Sequence, residues 1–446
     1  MATLIPAGPY RTLKTVEGDA FPYYIIPFDA EGLCEAPLTQ QDALRNAAQY
    51  TDIFLFSHGW NNDWTAATRR YESFVEGFQD QRRKFGLKMP SGYKPLLTGI
   101  FWPSQALEWF DSEMGPRLAA LDPRAQDEAV ATSQQLLKDI SSALPAGQRA
   151  RFFALAQAEA LNAAEAREVA QLLADLTTAD DEGARSDAPS ADDLLATAAA
   201  LSEKEPDLDA VGAIGESAGA PRAAFDIGSV LNAVDPRNLV KPFTVWQMKD
   251  RAGKVGARGV AVLLEGLLTH SNARVHVIGH SFGCKVVMSA VCALPAGGRP
   301  LHSALLLQPA VSQYAFAPEV PGRSGTAGGF FKALERVKGP VVATFSANDV
   351  ALTRMFHLAV RRHDDLGEQP AIAGETPSKY GALGGFGPQN SNAQIVDIKD
   401  PKDAYDWGSA ARIIGIRGTR TISGHGDISN PSTWWLAYAT AAAPYD

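Results

Sequence analysis

Cysteine is scarce in this 446-residue chain, which contains only three. Cys34, Cys284 and Cys292 are too few and too irregularly spaced for a disulfide framework or a zinc site. We therefore interpret them as free thiols in a reducing compartment, and we predict no metal site.

Runs of basic residues and long apolar runs are also lacking. The net charge of -9 and the pI near 5.5, without any Lys/Arg-rich run, argue against a nucleic-acid partner. No stretch reaches the roughly 18 uninterrupted apolar residues of a membrane span, so no transmembrane segment is expected. Residues 1–14 have no basic start followed by an apolar run, so no signal peptide is predicted. The expected location is the cytoplasm by default, with signal-independent export left open.

Short apolar stretches alternate with helical patterns, which is typical of a parallel sheet covered on both faces. We predict strands in 10–18, 21–32, 51–56, 95–102, 274–279, 303–308, 340–346 and 393–398, with 411–418 as the alternative last strand. We predict helices around 40–48, over 241–268 and 282–294, around 330–337, and over 430–443.

The composition changes after the fourth strand, where alanine, leucine and acidic residues dominate residues 105–210. Asn162 with Glu165, and Ser190 with Asp193, have the spacing of helix capping boxes. We therefore predict a helical cap or lid over residues 105–239, inserted into a core formed by 1–104 and 240–446.

The pattern G-x-S-x-G occurs twice, around Ser217 and around Ser281. A serine nucleophile needs a strand, a sharp turn and a helix, with glycines that allow close backbone approach. Ser281 has this context: RVHVI precedes it, a helical pattern follows it, and Gly279 and Gly283 flank it. The stretch before Ser217 is short and interrupted by glycine, so we favour Ser281 and keep Ser217 as the alternative.

A serine hydroxyl needs a base within hydrogen-bond reach and an acid that orients the base. His425, in the loop TISGHGDIS, is the predicted base, and we expect the flanking glycines to give the backbone the freedom to carry its imidazole into a cleft. Asp349, just after the strand PVVATFS, is the predicted acid. The other downstream candidates are three histidines in less suitable positions and three further aspartates: His302, His357, His363, Asp364, Asp365 and Asp397.

An oxyanion hole needs two backbone N–H groups. Phe282 supplies one directly after the serine, and Trp60, in the loop SHGWNND, supplies the other. His58 and Gly59 are expected to position that loop, and Asn61 and its neighbour Asn62 to hold it by side-chain hydrogen bonds. The alternative is an ordinary polar turn.

Together, HGWNN after one strand, GHSFG after another, Asp349 and His425 resemble the α/β-hydrolase superfamily, and within it the bacterial serine hydrolases of the lipase/esterase type. The resemblance covers roughly 10–103 and 240–440 and excludes the helical insertion. It implies an α/β-hydrolase fold, with a mostly parallel central sheet and helices on both faces. It also implies that Ser281, Asp349 and His425 are catalytic, that Trp60 and Phe282 form the oxyanion hole, and that no cofactor is needed.

The resulting hypothesis is hydrolysis of carboxylic esters, with a small-molecule or lipid ester as the partner and the insertion as a roof over the acyl pocket. Peptidase, amidase or phospholipase activity with the same residues stays open, as does a non-catalytic scaffold with a vestigial site. The sequence does not indicate the oligomeric state.

Four tryptophans are candidates for pocket walls or for core: Trp102, Trp109, Trp434 and Trp435.

Overall fold

A computed structural model describes residues 7–60, 62–104, 137–138, 140–177, 188–203, 234–356, 379–407 and 411–445. Its strands are β1 (Arg11–Lys14), β2 (Ala20–Pro27), β3 (Asp52–Ser57), β4 (Pro95–Phe101), β5 (Arg274–His280), β6 (Ser303–Leu307), β7 (Val341–Phe345), β8 (Gln394–Asp397) and β9 (Ile413–Arg417). They form one nine-stranded sheet in the order β1-β2-β4-β3-β5-β6-β7-β9-β8. Every pair is parallel except β1 with β2. The predicted mixed α/β architecture with a mostly parallel sheet is confirmed.

Ten α-helices lie in the described part of the chain. They are α1 (Pro37–Asn46), α2 (Trp64–Phe85), α3 (Ala146–Ala156), α4 (Ala163–Ala174), α5 (Ala191–Glu203), α6 (Pro236–Lys254), α7 (Ala261–His270), α8 (Phe282–Ala293), α9 (Leu383–Phe386) and α10 (Pro431–Ala442). A π-helical segment, Val255–Val260, joins α6 to α7 without a break.

Apolar side chains cover both faces of the sheet, because successive strand residues point to opposite sides. In β2, Tyr24 and Ile26 belong to a buried cluster that includes residues of α1, α6, α7 and α8. Tyr23 and Ile25 belong to a second cluster, which includes residues of α2 and α10. Helices therefore pack on each side, and the carboxyl ends of the parallel strands share one edge.

The helices between β4 and β5 have a buried cluster of their own. It runs from Leu137 to Phe243 and takes residues from α3, α4, α5 and the start of α6. The predicted Asn162–Glu165 capping box is present at the start of α4. Ser190 and Asp193 also bond reciprocally at the start of α5. The division into core and insertion stays a prediction, because much of 105–239 lies outside the described residues.

The 22-residue helix α2 is absent from our sequence prediction. Its apolar stripe (Ala67, Tyr71, Phe74 and Phe78) is diluted by polar and charged residues on the other faces of the helix. Its ends carry ordinary signals: the Asp63 side chain accepts from Ala66 N–H, and Gly86 ends it with φ 63°. The helix was identifiable from its period and its caps.

Three other predictions need correction. Residues 330–337 contain a short 3₁₀ turn, Phe331–Glu335, instead of an α-helix. The helix predicted over 241–268 is longer and contains the π-helical segment. The two alternatives for the last strand are both strands: β9 pairs with β7, and β8 lies at the edge beyond it.

No helix among the described residues is both long enough and apolar enough to cross a membrane.

A buried ion pair joins the amino ends of β3 and β5. Asp52 and Arg274 are register partners there, and Asp52 Oδ1 lies 2.5 Å from Arg274 Nη2. His276 also bonds Asp52 Oδ1, at 3.1 Å. Burial raises the pKa of Asp52, but the hydrogen bond and charge of His276, with help from Thr51 and Arg274, leave that pKa below its usual value.

This pair predicts an asymmetry between two Asp–Arg contacts. Asp52→Ala should reduce the free energy of unfolding by about 3–5 kcal/mol, because it strips the partner from a largely buried guanidinium. The matched control is Asp397→Ala: Asp397 and Arg417 are also register partners on parallel strands, but both side chains are exposed. There the loss should stay below about 1 kcal/mol. Urea unfolding measures both, and equal losses would contradict the prediction.

Candidate functional site

Ser281 lies on the turn between β5 and α8. Its backbone has φ 55° and ψ −126°, a left-handed conformation that is strained for a residue with a Cβ. Two backbone bonds hold the turn against β6 and the loop that follows it: Ser281 N–H donates to Leu307 O, and Ala310 N–H donates to Ser281 O. The strand-turn-helix context predicted for this serine is therefore present.

Glycines at three positions make this turn possible. A Cβ at Gly279 would lie 2.6 Å from the Cα of Cys284, and a Cβ at Gly283 would lie 2.2 Å from Ser57 O. A Cβ at Gly59, in the loop after β3, would lie 2.6 Å from the Cβ of Ser281. Each distance is shorter than real Cβ contacts allow, so the three glycines let β5, α8 and the β3 loop approach one another.

His425 contacts both other predicted catalytic residues. Its Nε2 lies 2.8 Å from Ser281 Oγ, and its Nδ1 lies 2.8 Å from Asp349 Oδ2. Since a carboxylate can only accept, Nδ1 carries the proton and the bare Nε2 accepts from the serine hydroxyl. The Asp349 side chain is fully buried, whereas that of His425 is 28% exposed.

Asp349 is held by two groups besides the imidazole. Leu352 N–H donates to Oδ1 at 3.0 Å, and the side-chain amide of Gln308 donates to Oδ2 at 3.1 Å. Gln308, directly after β6, is absent from our sequence prediction. The signal that could have found it is a polar residue at the carboxyl end of the strand next to β5.

The loop that carries His425 is fastened by side chains. His280 Nε2 donates to the His425 carbonyl at 2.8 Å, and the Asp427 carboxylate accepts from the hydroxyl and the N–H of Ser423. We expected flanking glycines to provide conformational freedom here. That expectation is wrong, because Gly424 and Gly426 have no left-handed φ and a Cβ on either would meet no atom within 4 Å.

His58 and His280 are both buried imidazoles beside this site. Burial lowers the pKa of His58 to about 4, against a smaller opposing effect of its bond to Gly59. Burial, followed by the electrostatic effect of the neighbouring His425 ring, brings the pKa of His280 well below its usual value. Both rings are therefore neutral at pH 7. The bare Nδ1 of His280 has no hydrogen-bond partner in the described structure, which a neutral ring tolerates better than a charged one.

The loop after β3 is fixed through its carbonyl groups. Gly59 O accepts from His58 Nδ1 at 2.8 Å and from Asn62 Nδ2 at 3.0 Å, and the same amide of Asn62 donates to Trp60 O. In a trans peptide the carbonyl and the next N–H point in opposite directions. Holding Gly59 O on one side therefore directs the Trp60 N–H to the other. Phe282 begins α8, so its N–H has no acceptor within the helix.

Two other candidates from the sequence, both among the described residues, lie apart from this group. His302 bonds Ala443 O, and Asp397 pairs with Arg417 at the sheet edge. Several lie outside the described residues: Asn61, Trp109, Ser217, His357, His363, Asp364 and Asp365.

Three of the candidate pocket tryptophans are part of the core or pack against it. Trp102 is buried and stacks on the His58 ring, with 5.6 Å between ring centroids. Trp434 packs over Gly77 of α2, and the indole N–H of Trp435 donates to Asp403 O. Their surroundings favour the core interpretation over the pocket-wall interpretation.

Among the described residues, no group of three or more His, Cys, Asp or Glu side chains is arranged to hold a metal ion.

Searches against protein-family models, curated proteins and solved structures found no significant match. The site's own geometry therefore has to support any functional assignment.

The glycine contacts predict the effect of adding one methyl group at two positions. Gly283→Ala should lower the melting temperature by several degrees and disturb the Ser281 turn, because the new Cβ meets the carbonyl oxygens of both Ser57 and His58. Gly426→Ala, next to His425, is the matched control and should melt like the wild type. Equal melting temperatures for Gly283→Ala and wild type would contradict the close packing described here.

The lowered pKa of His58 predicts a pH-dependent loss of stability. Between pH 6.5 and 4 the unfolded chain binds a proton at this position and the folded chain does not, so folding stability falls as the pH falls. From pH 7.5 to 5 this one group should cost about 2 kcal/mol. His58→Gln should lose less stability than the wild type across that window in urea unfolding. Parallel curves for the two proteins would refute the assignment.

Proposed function

We propose that the protein is a serine hydrolase of the α/β-hydrolase type, which cleaves carboxylic esters through a covalent acyl-enzyme. The single observation that carries this proposal is the hydrogen-bonded series Ser281–His425–Asp349, with 2.8 Å at each step. These three residues are far apart in the chain, and this order of hydroxyl, imidazole and buried carboxylate is the arrangement that activates a serine nucleophile.

In this mechanism Ser281 Oγ attacks the ester carbonyl while His425 Nε2 takes the hydroxyl proton. Asp349 stabilises the imidazolium through the proton on Nδ1. The proton then passes from Nε2 to the departing alkoxide, which leaves as an alcohol. A water molecule repeats the sequence on the acyl-enzyme, and the carboxylic acid leaves with Ser281 regenerated.

The negative charge on the carbonyl oxygen needs N–H donors that are already in place. We assign this role to the backbone amides of Trp60 and Phe282. Three observations support this assignment: the Gly59–Trp60 peptide is held by hydrogen bonds, Gly59 lies too close to Ser281 for a Cβ to fit, and Phe282 begins α8. The positive end of the helix dipole adds to the attraction.

The sheet supports the same proposal. The segments that carry Trp60, Ser281, Asp349 and His425 follow β3, β5, β7 and β9, so all four approach the shared carboxyl edge. A strained serine between a parallel strand and a helix, with glycines two residues before and after it, is the nucleophile elbow of this class of fold.

Labelling with a fluorophosphonate tests the proposal, because the probe reacts with activated serines whatever the natural substrate is. Wild type and Ser217→Ala should label, and Ser281→Ala should not. Hydrolysis of p-nitrophenyl esters should fall at least about 10³-fold in Ser281→Ala and in His425→Ala. Ser217→Ala is the matched control, since Ser217 lies in the second copy of the motif.

If labelling is lost only in Ser217→Ala, the nucleophile is Ser217 in the other copy of the motif. A folded wild type that neither labels nor hydrolyses esters would refute the enzyme proposal and favour a non-catalytic scaffold. Ester turnover that is weak beside amide or phospholipid turnover would keep the serine mechanism and replace the substrate class.

A further inference from the structure

Gln308 occupies a special position in the sheet. It directly follows β6, whose last residue Leu307 is the register partner of His280. The residue is fully buried, and its N–H donates to Thr344 Oγ1 at 2.9 Å. The side chain therefore starts from a fixed backbone position beside the Ser281 turn.

The side-chain amide of Gln308 joins the acid to the histidine loop. Its single nitrogen, Nε2, donates to Asp349 Oδ2 at 3.1 Å and to the carbonyl of Gly424 at 2.7 Å. Asp349 Oδ2 is the same oxygen that accepts from His425 Nδ1, and Gly424 is the residue before His425. One amide group thus holds both members of the imidazole–carboxylate pair.

This arrangement has a cost in stability. The backbone of Gln308 has φ 44°, which is unfavourable for a residue with a Cβ. Its Oε1 is buried and has no hydrogen-bond partner among the described residues. A buried polar atom without a partner is uncommon in folded proteins and costs stability. Glycine would avoid both penalties. What the glutamine adds is the pair of hydrogen bonds from its Nε2 to Asp349 and Gly424.

We propose that Gln308 is a positioning residue that aligns His425 with Asp349 and tempers the attraction between them, an inference that rests on the function proposed above. By donating to Oδ2, the amide disperses negative charge that would otherwise face the imidazolium. Without that donor, the carboxylate holds a protonated His425 more strongly, so a higher pH is needed to free the base. Without the bond to Gly424, the imidazole also loses part of its alignment to Ser281.

The test uses Gln308→Met, which has a similar length and no donor, and Gln308→Asn, which tolerates positive φ but is one methylene too short to bridge. The measurement is the second-order rate of fluorophosphonate inactivation from pH 5 to 9, which needs no natural substrate. In both variants the pH of half-maximal rate should rise by about half a unit to one unit, and the plateau rate should fall about tenfold. The matched control is Gln389→Asn, because in the described part of the chain the Gln389 amide donates to Phe386 O and not to Asp349. It should behave like the wild type.

The outcomes are distinguishable from failure of the proposed function. If wild type does not react with the probe, the serine hydrolase itself is refuted, whatever the variants do. If wild type reacts through Ser281 and either folded variant keeps the wild-type pH profile, the role of Gln308 is refuted. A lower plateau rate with an unchanged pH of half-maximal rate would also refute the role of Gln308, since looser packing alone would explain that result. Thermal unfolding identifies the folded variants, and Gln308→Asn keeps the test decisive if Gln308→Met does not fold.

Discussion

The close approach of three backbone segments around Ser281 is the constraint on which the site depends. β5 must end, reverse its direction at φ 55° and continue into α8 while the β3 loop lies against the same turn. Gly59, Gly279 and Gly283 permit this because none of them has a side chain to exclude a neighbour. The turn then presents the serine hydroxyl at the edge of the sheet and places the amide of Phe282 beside it.

Parallel pairing explains how residues so distant in sequence meet at that edge. β5, β6, β7 and β9 are successive neighbours in the sheet, and the segments after them contain Ser281, Gln308, Asp349 and His425. Each strand therefore contributes one polar side chain from its carboxyl end. Gln308 bonds Asp349, and Asp349 bonds His425, across neighbouring strands, whereas His425 reaches Ser281 past the two strands between them. The arrangement therefore depends on strand order together with the loop after β9, which brings the imidazole back to the Ser281 turn.

Much of this arrangement was predictable from sequence, because its signals are local. The apolar runs gave the strands, the GHSFG motif identified the serine, and Asp349 and His425 followed from their positions after strands. The position of Gln308 after a strand could have marked it as a candidate, but its role was not predictable, because a glutamine there has many possible roles and only the three-dimensional neighbours reveal its bridge. The support of the His425 loop was misjudged for the same reason: adjacent glycines are visible in sequence, whereas the bond from His280 is not.

Three imidazoles lie at this edge, and their surroundings separate their roles. His58 and His280 are buried, so desolvation opposes a charge on either ring and each serves as a neutral donor to a backbone carbonyl. His425 alone of the three is partly exposed and faces a buried carboxylate. The proposed mechanism has His425 gain and release a proton in each cycle, which needs both features: an anion to stabilise the charged ring and a route to solvent. The two neutral rings instead hold the loop after β3 and the loop that carries His425 in place.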